Sequence, residues 1–403
     1  MSARLLFLCL CLIQISISAP VVVVQGFNAY SAFEASTDAT WNLFWNSGQH
    51  SLSLNDASCP GSTFAYPSVW DVAVAGTAFT NSGNTERLND VAQNLLQYRR
   101  GDGWFSASTA KDDDIYVDDN AQILWVFVDA YKATNNGDYL SIAQRSMDLI
   151  RSQWNSNIGG IQWNKDGDYI ASISTSEAAL AAVKLYEVAP DSNLLDFAQH
   201  CLNWLYTNLQ DPNDHLFFDG ISLPSGDVNQ GKLTYTVGSV LSTLAYLNKF
   251  TGESSFLDTA VTLGNAAAGG SGAFYGSNGY WNNQMKYSHL LFAGIADILK
   301  LPSSATAQQG GAFVSFAQEA IRNAAYIYYF LQDGNTGGYV DSPFSFSEAI
   351  FNKYFNVFKA GTYAPDAENF CNNDIGAGQV KKVLIDNASV SQIFFEVSRM
   401  IAQ

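Results

Sequence analysis

Two adjacent carboxylates, Asp118 and Asp119, open an apolar helical run in Tyr116-Val117-Asp118-Asp119-Asn120-Ala121. Neighbouring like charges repel, and one pKa of such a pair is forced upward. Chemistry that needs one carboxylic acid and one carboxylate makes use of that split. Glycoside cleavage is such a chemistry: one group protonates the leaving oxygen and the other attacks the sugar or steadies its cation. The doublet also suits an ordinary helix start, where Asp caps the chain and meets the positive end of the helix dipole. On dipole grounds Asp118 is expected to stay ionised. Asp119, crowded by Asp118 and covered by Trp104 or Tyr116, is expected to hold its proton.

The elements that must position this pair repeat along the chain. Apolar helices are expected from near Tyr66, Asp118, Ser174, Thr234 and Lys286, each followed by a short polar turn and an amphipathic helix. The second helices start near Asn84, Gly137, Asp191, Gly252 and Gly310. A sixth apolar helix from about Ala388 has no partner after it, and an amphipathic helix over Phe27 to Trp45 has none before it. Joining the two ends gives six hairpins, an all-α (α/α)6 barrel. A repeat of this length marks a repeat architecture, and closing it removes the need for polar end caps. Short strands are expected around Gly160-Ile161-Gln162-Trp163 and Phe217-Phe218-Asp219. Residues 333–386 are the least helical and form an excursion before the last helix.

Residues 1–18 have the form of a secretory leader: Arg4, an apolar stretch over Leu5 to Ile15, then Ser16-Ile17-Ser18 before the expected cut. Residues 19–403 are expected to form a single catalytic domain. Removing the leader leaves 19 basic against 37 acidic residues. That balance argues against nucleic acid and anionic membranes as partners. The end of the chain carries Glu396 and Arg399 and does not resemble an anchor signal. A secreted, extracellular monomer is expected. Aromatic residues make up 14% of the chain, as many as the charged ones, which leaves rings available for a binding groove as well as a core. Cys59, Cys201 and Cys371 remain after the leader, so at most one disulfide forms within the chain, and spacing does not choose the pair. Four scattered His give no metal-ligand spacing, Asp112-Asp113-Asp114 reads as a solvated loop, and no cofactor or metal is expected. Asn387-Ala388-Ser389 is the one glycosylation sequon.

The segment around the doublet, continued by Phe127-Val128-Asp129-Ala130-Tyr131-Lys132-Ala133-Thr134 and Asp138-Tyr139-Leu140, resembles glycoside hydrolase family 76, the endo-α-1,6-mannanases and their fungal cell-wall relatives. Gly159-Gly160-Ile161-Gln162-Trp163, Leu216-Phe217-Phe218-Asp219-Gly220-Ile221 and Thr234-Tyr235 follow in the family's order. The resemblance implies a retaining enzyme acting on mannan, with Asp118 as nucleophile and Asp119 as general acid/base. Asn120, Trp70, Trp104, Trp163, Asp219, Tyr235 and Lys286 are the candidate substrate contacts. Ala171 to Thr175, Thr236-Val237 and Met285 to His289 depart from the family's pattern, so the resemblance carries the reaction type further than the substrate. The alternatives are a transglycosidase that passes the sugar to another glycan, and a carbohydrate-binding protein without turnover.

Overall fold

The computed structural model describes residues 26–401, leaving out the side chain of Ser304; the expected leader, residues 1–18, lies outside them. Six helices stand side by side in a closed ring: α2 (Val69–Asn81), α4 (Val117–Thr134), α6 (Ser172–Val188), α8 (Thr234–Thr251), α10 (Met285–Leu299) and α14 (Leu384–Ile401). Each packs on the next, and α14 closes against α2. Around them run α3 (Thr85–Leu96), α5 (Gly137–Ser152), α7 (Ser192–Asn208), α9 (Ser255–Ala268), α12 (Ala312–Phe330) and α1 (Ala29–Phe44). α1 packs on α14, so the two ends of the chain supply one hairpin, and the fold is an (α/α)6 barrel. A short α11 (Ser303–Thr306) precedes α12.

The ring explains the sequence pattern. Inner helices are covered on nearly every side: every residue from Ser172 to Val183 of α6 is buried. Outer helices bury one stripe; in α5 these are Tyr139, Ile142, Ala143, Ser146, Met147 and Ile150. Asn136 and Asp191 cap α5 and α7 with their side chains, each accepting a backbone N–H bond two residues ahead. The closest approach in the ring is between α8 and α10. A Cβ at Gly238 would lie 2.1 Å from the carbonyl carbon of Leu290, so only glycine fits there. That crossing brings the first turns of α8 and α10 together at one mouth of the barrel.

Some details differ from the sequence pattern. The segments over Gly160 to Trp163 and Phe217 to Asp219 contribute only single bridges. The sheet lies just beyond them, in β3 (Tyr169–Ala171), β4 (Gly220–Ser222) and β5 (Val228–Asn229), antiparallel in that order. β1 (Trp45–Asn46) and β2 (Ser51–Leu52) form a small separate hairpin. The excursion before α14 contains a helix, α13 (Glu348–Phe358), packed on α12. Lastly, Asn387 is not a glycan acceptor in the fold: it is buried, its Nδ2 donates to the Val383 and Tyr339 carbonyls, and its Oδ1 accepts from the Tyr339 N–H. The disulfide is Cys59–Cys371, which ties the loop before α2 to the excursion, and Cys201 is free and buried.

Candidate active site

The doublet sits in the first turn of α4. Tyr116, the residue before the helix, is extended and offers no side-chain cap. The helix start is held from outside: the Val117 N–H donates to the Trp163 carbonyl at 2.8 Å. Asn120 pins it on the other side. Its Oδ1 accepts from the Phe105 N–H at 3.0 Å, and its Nδ2 donates to the Phe105 and Tyr116 carbonyls. With all those bonds made inside the protein, Asn120 is a brace for the helix start and not the substrate contact expected of it. Trp104 is also corrected: it is 3% exposed and part of the core, so it offers no platform to a sugar.

The other expected residues come together. Asp118, Asp119, Trp70, Trp163, Asp219, Tyr235 and Lys286 line one cavity of about 420 Å³ at the barrel mouth. This volume is within the range of small-molecule sites. Rings form much of its wall. Tyr235 and Tyr287 stand with centroids 5.3 Å apart, Trp70 stacks on Tyr287 at 6.1 Å, and Trp163 leans on Tyr116 at 5.1 Å. Trp163 is 40% exposed, an open face beside the doublet. Asp219 is fixed by the Tyr169 hydroxyl, which donates to its Oδ2 at 2.6 Å, and by Asn229 Nδ2 at 2.9 Å. It directly precedes β4, with its N–H donating to the Asn229 carbonyl and its carbonyl accepting from the Ser172 N–H at the start of α6.

Burial dominates the electrostatics. Asp118 is pushed up to about 6, mainly by loss of water, with the charge of Asp219 adding to it. Its own and the Asp119 backbone N–H groups and the Trp163 indole, which donates to Oδ2 at 3.2 Å, pull the other way. The helix dipole therefore does not hold Asp118 at an ordinary carboxylate pKa. Asp119 is driven well above the carboxylate range, first by burial and then by the charge of Asp118, with Asp71 and Asp114 contributing. Asp71 is half-buried in a capping box with Ser68 and is also raised, chiefly by loss of water, with the Ser68 hydrogen bonds and Lys286 opposing. Asp386 is raised to about 7 by burial and by Asp341, again with Lys286 opposing.

Sequence reasoning did not single out Glu177 or Gln122, which line the same cavity. Glu177 is fully buried on α6, and Gln122 Nε2 donates to its Oε1 at 3.0 Å. The available signal was a glutamate inside the otherwise uncharged run Ser172 to Val183. His289 lies inside the barrel, 1% exposed, and its pKa is lowered to about 4 by burial. Among the described residues no group of His, Cys, Asp and Glu could hold a metal ion. In the Asp112-Asp113-Asp114 loop, Arg100 pairs with Asp113 at 2.9 Å.

Residues 29–335 match Glycosyl hydrolase family 76, and the chain belongs to that family. The meiotically up-regulated gene 191 protein of Schizosaccharomyces pombe is 28% identical over 384 residues, 83% of this chain and 83% of that protein. A mannan endo-1,6-alpha-mannosidase of Candida albicans is 23% identical over 136 residues, 31% of this chain and 30% of that protein. Among solved structures, a family 76 α-mannanase of Bacteroides thetaiotaomicron superposes with a TM-score of 0.70 at 18% identity, covering 94% of this chain and 97% of that one. An inactive Salegentibacter α-1,6-mannanase, with two consecutive aspartates changed to asparagine, was solved with α-1,6-mannotriose. It superposes with a TM-score of 0.69 at 18% identity, covering 93% of this chain and all of that one. At these identities the structural likeness speaks for the fold.

Proposed function

We propose that this family 76 chain is a retaining glycoside hydrolase that cuts α-1,6-mannosidic bonds within mannan. The observation that carries the reading is the half-buried doublet on the cavity wall, where loss of water and the charge of Asp118 drive Asp119 well above the carboxylate range. Asp118, ionised, attacks the anomeric carbon as the bond to the leaving oxygen breaks. Asp119 gives its proton to that oxygen. Water then attacks the glycosyl ester, Asp119 takes the water's proton, and Asp118 leaves as a carboxylate. Trp163, Trp70 and Tyr235 offer faces to sugar rings, while Asp219 and Lys286 offer charged partners to hydroxyls. Support for the substrate comes from the relatives. The solved Salegentibacter enzyme holds α-1,6-mannotriose when two consecutive aspartates are replaced, and the Candida relative carries the name of an endo-1,6-mannosidase.

We read the catalytic unit as one domain, residues 19–403, released to the outside after its leader is cut. The Cys59–Cys371 bridge fits an oxidising compartment, and no described helix is long and apolar enough to cross a membrane. The test is product analysis on unbranched α-1,6-mannan with the wild type and Asp118→Asn. Short oligosaccharides from the wild type alone are expected. Products longer than the substrate would make it a transferase. Polymer bound without any product would sink the enzymatic reading and leave a binding protein.

A further inference from the structure

Gln122 lies one helical turn beyond Asp118 on α4, on the same face. Glu177 faces it from the neighbouring inner helix α6, and both line the cavity. Lys286, the cation on the cavity wall, acts on Asp71 and Asp386 instead. A buried carboxyl without a cation keeps its proton, because ionising it there costs several kcal/mol. Glu177 is accordingly raised well above the glutamate range, first by burial and then by Asp118. Its Oε2 has no partner among the described residues. The amide of Gln122 is turned by its bond to Glu177 Oε1. That leaves Gln122 Oε1 with no donor from the described residues, and it is not among the oxygens sealed from solvent.

An apolar pair would be the more stable choice at this depth, since buried polar pairs rarely repay their desolvation. The neighbours Ala178, Ala179 and Leu180 follow that rule. We propose that Gln122 and Glu177 form a recognition pair on the floor of the sugar cavity. Gln122 accepts a hydroxyl of the ring seated over Asp118, and Glu177 positions the Gln122 amide for it. The pair thereby selects a sugar whose hydroxyl points down at that floor. This rests on the reading that the cavity takes a mannose ring.

The test is calorimetric binding of α-1,6-mannotriose to the full chain carrying Asp118→Asn, alone and with floor substitutions. Gln122→Leu and Glu177→Leu should each weaken binding about tenfold, or about 1.4 kcal/mol, the scale of one hydrogen bond. Together they should weaken it no further, because each breaks the same contact. Glu177→Gln should recover most of what Glu177→Leu loses. The double leucine variant leaves no polar group stranded, and its thermal melt guards against misfolding. Unchanged affinity in Glu177→Leu, or losses that add independently, would overturn the pair. If the parent binds other α-linked oligosaccharides but not mannotriose, the mannan reading falls and the same comparison with the bound sugar decides the floor. A parent that binds no sugar at all overturns both.

Discussion

Replacing Trp163 by Phe separates two things this residue does beside the doublet. The ring face remains, and the indole N–H that donates to Asp118 Oδ2 at 3.2 Å is removed. A hydrogen bond to a charged group contributes roughly 1.5–3 kcal/mol. This one is long, and Trp163 is 40% exposed, so water competes for the same oxygen. About 1.4 kcal/mol is a fair discounted figure, which equals about one pH unit in the ionisation of Asp118. With Asp118 at about 6 in the wild type, its acid limb should move to about 7 in Trp163→Phe. The assay is the pH dependence of kcat/KM on an α-1,6-mannooligosaccharide, which reports groups of the free enzyme. Activity should fall about tenfold on the acid side of the limb and change little well above it. A limb that stays in place while activity drops equally at every pH would make Trp163 a sugar platform only. A limb that moves down would refute the account of Asp118, because losing a donor cannot favour its carboxylate.

Other outcomes follow from the same carboxyls and from the scaffold. Asp119→Asn should lower kcat/KM by about 10²–10⁴-fold, the usual worth of a general acid, while leaving mannotriose binding in place; wild-type turnover would remove Asp119 from the mechanism. Asp118 is more acidic unfolded than folded, so its cost is absent below its unfolded pKa and complete above about 6. Asp118→Asn should therefore be the more stable chain at pH 7, by about 3 kcal/mol for a rise of about two units. That gain should shrink to nothing as pH falls towards about 4, and denaturant titrations at both pH values would read it. Cys59→Ser opens a bridge between residues 312 apart in the chain. Loop entropy predicts a loss of about 6 kcal/mol, so an unchanged unfolding midpoint would contradict the constraint. Trp104→Ala should cost about 3–5 kcal/mol of stability as a core truncation and leave mannotriose affinity unchanged, opposite in kind to a change at Trp163.

The barrel was legible because its cause is local and repeated. An inner helix surrounded on all sides needs apolar residues throughout, and an outer one needs a stripe, so the alternation along the chain spells the hairpins. The pairing of α1 with α14 followed from the two helices left over. The doublet was legible because adjacent carboxylates at a helix start are unusual whatever surrounds them. What a side chain meets across the fold was not. Trp104 and Asn120 were candidate contacts for a sugar, and only packing shows that core and backbone already occupy them. The Cys59–Cys371 bridge depends on two loops meeting from opposite ends of the chain. The raised pKa of Asp118 was not legible because a dipole belongs to its own helix, whereas desolvation comes from the whole cavity wall. Gln122 and Glu177, 55 residues apart, meet only because α4 and α6 are ring neighbours. Sequence alone determined the periodicity and the doublet, which are set by neighbours in the chain. Tertiary structure decided burial, partners and charge state, which are set by neighbours in space.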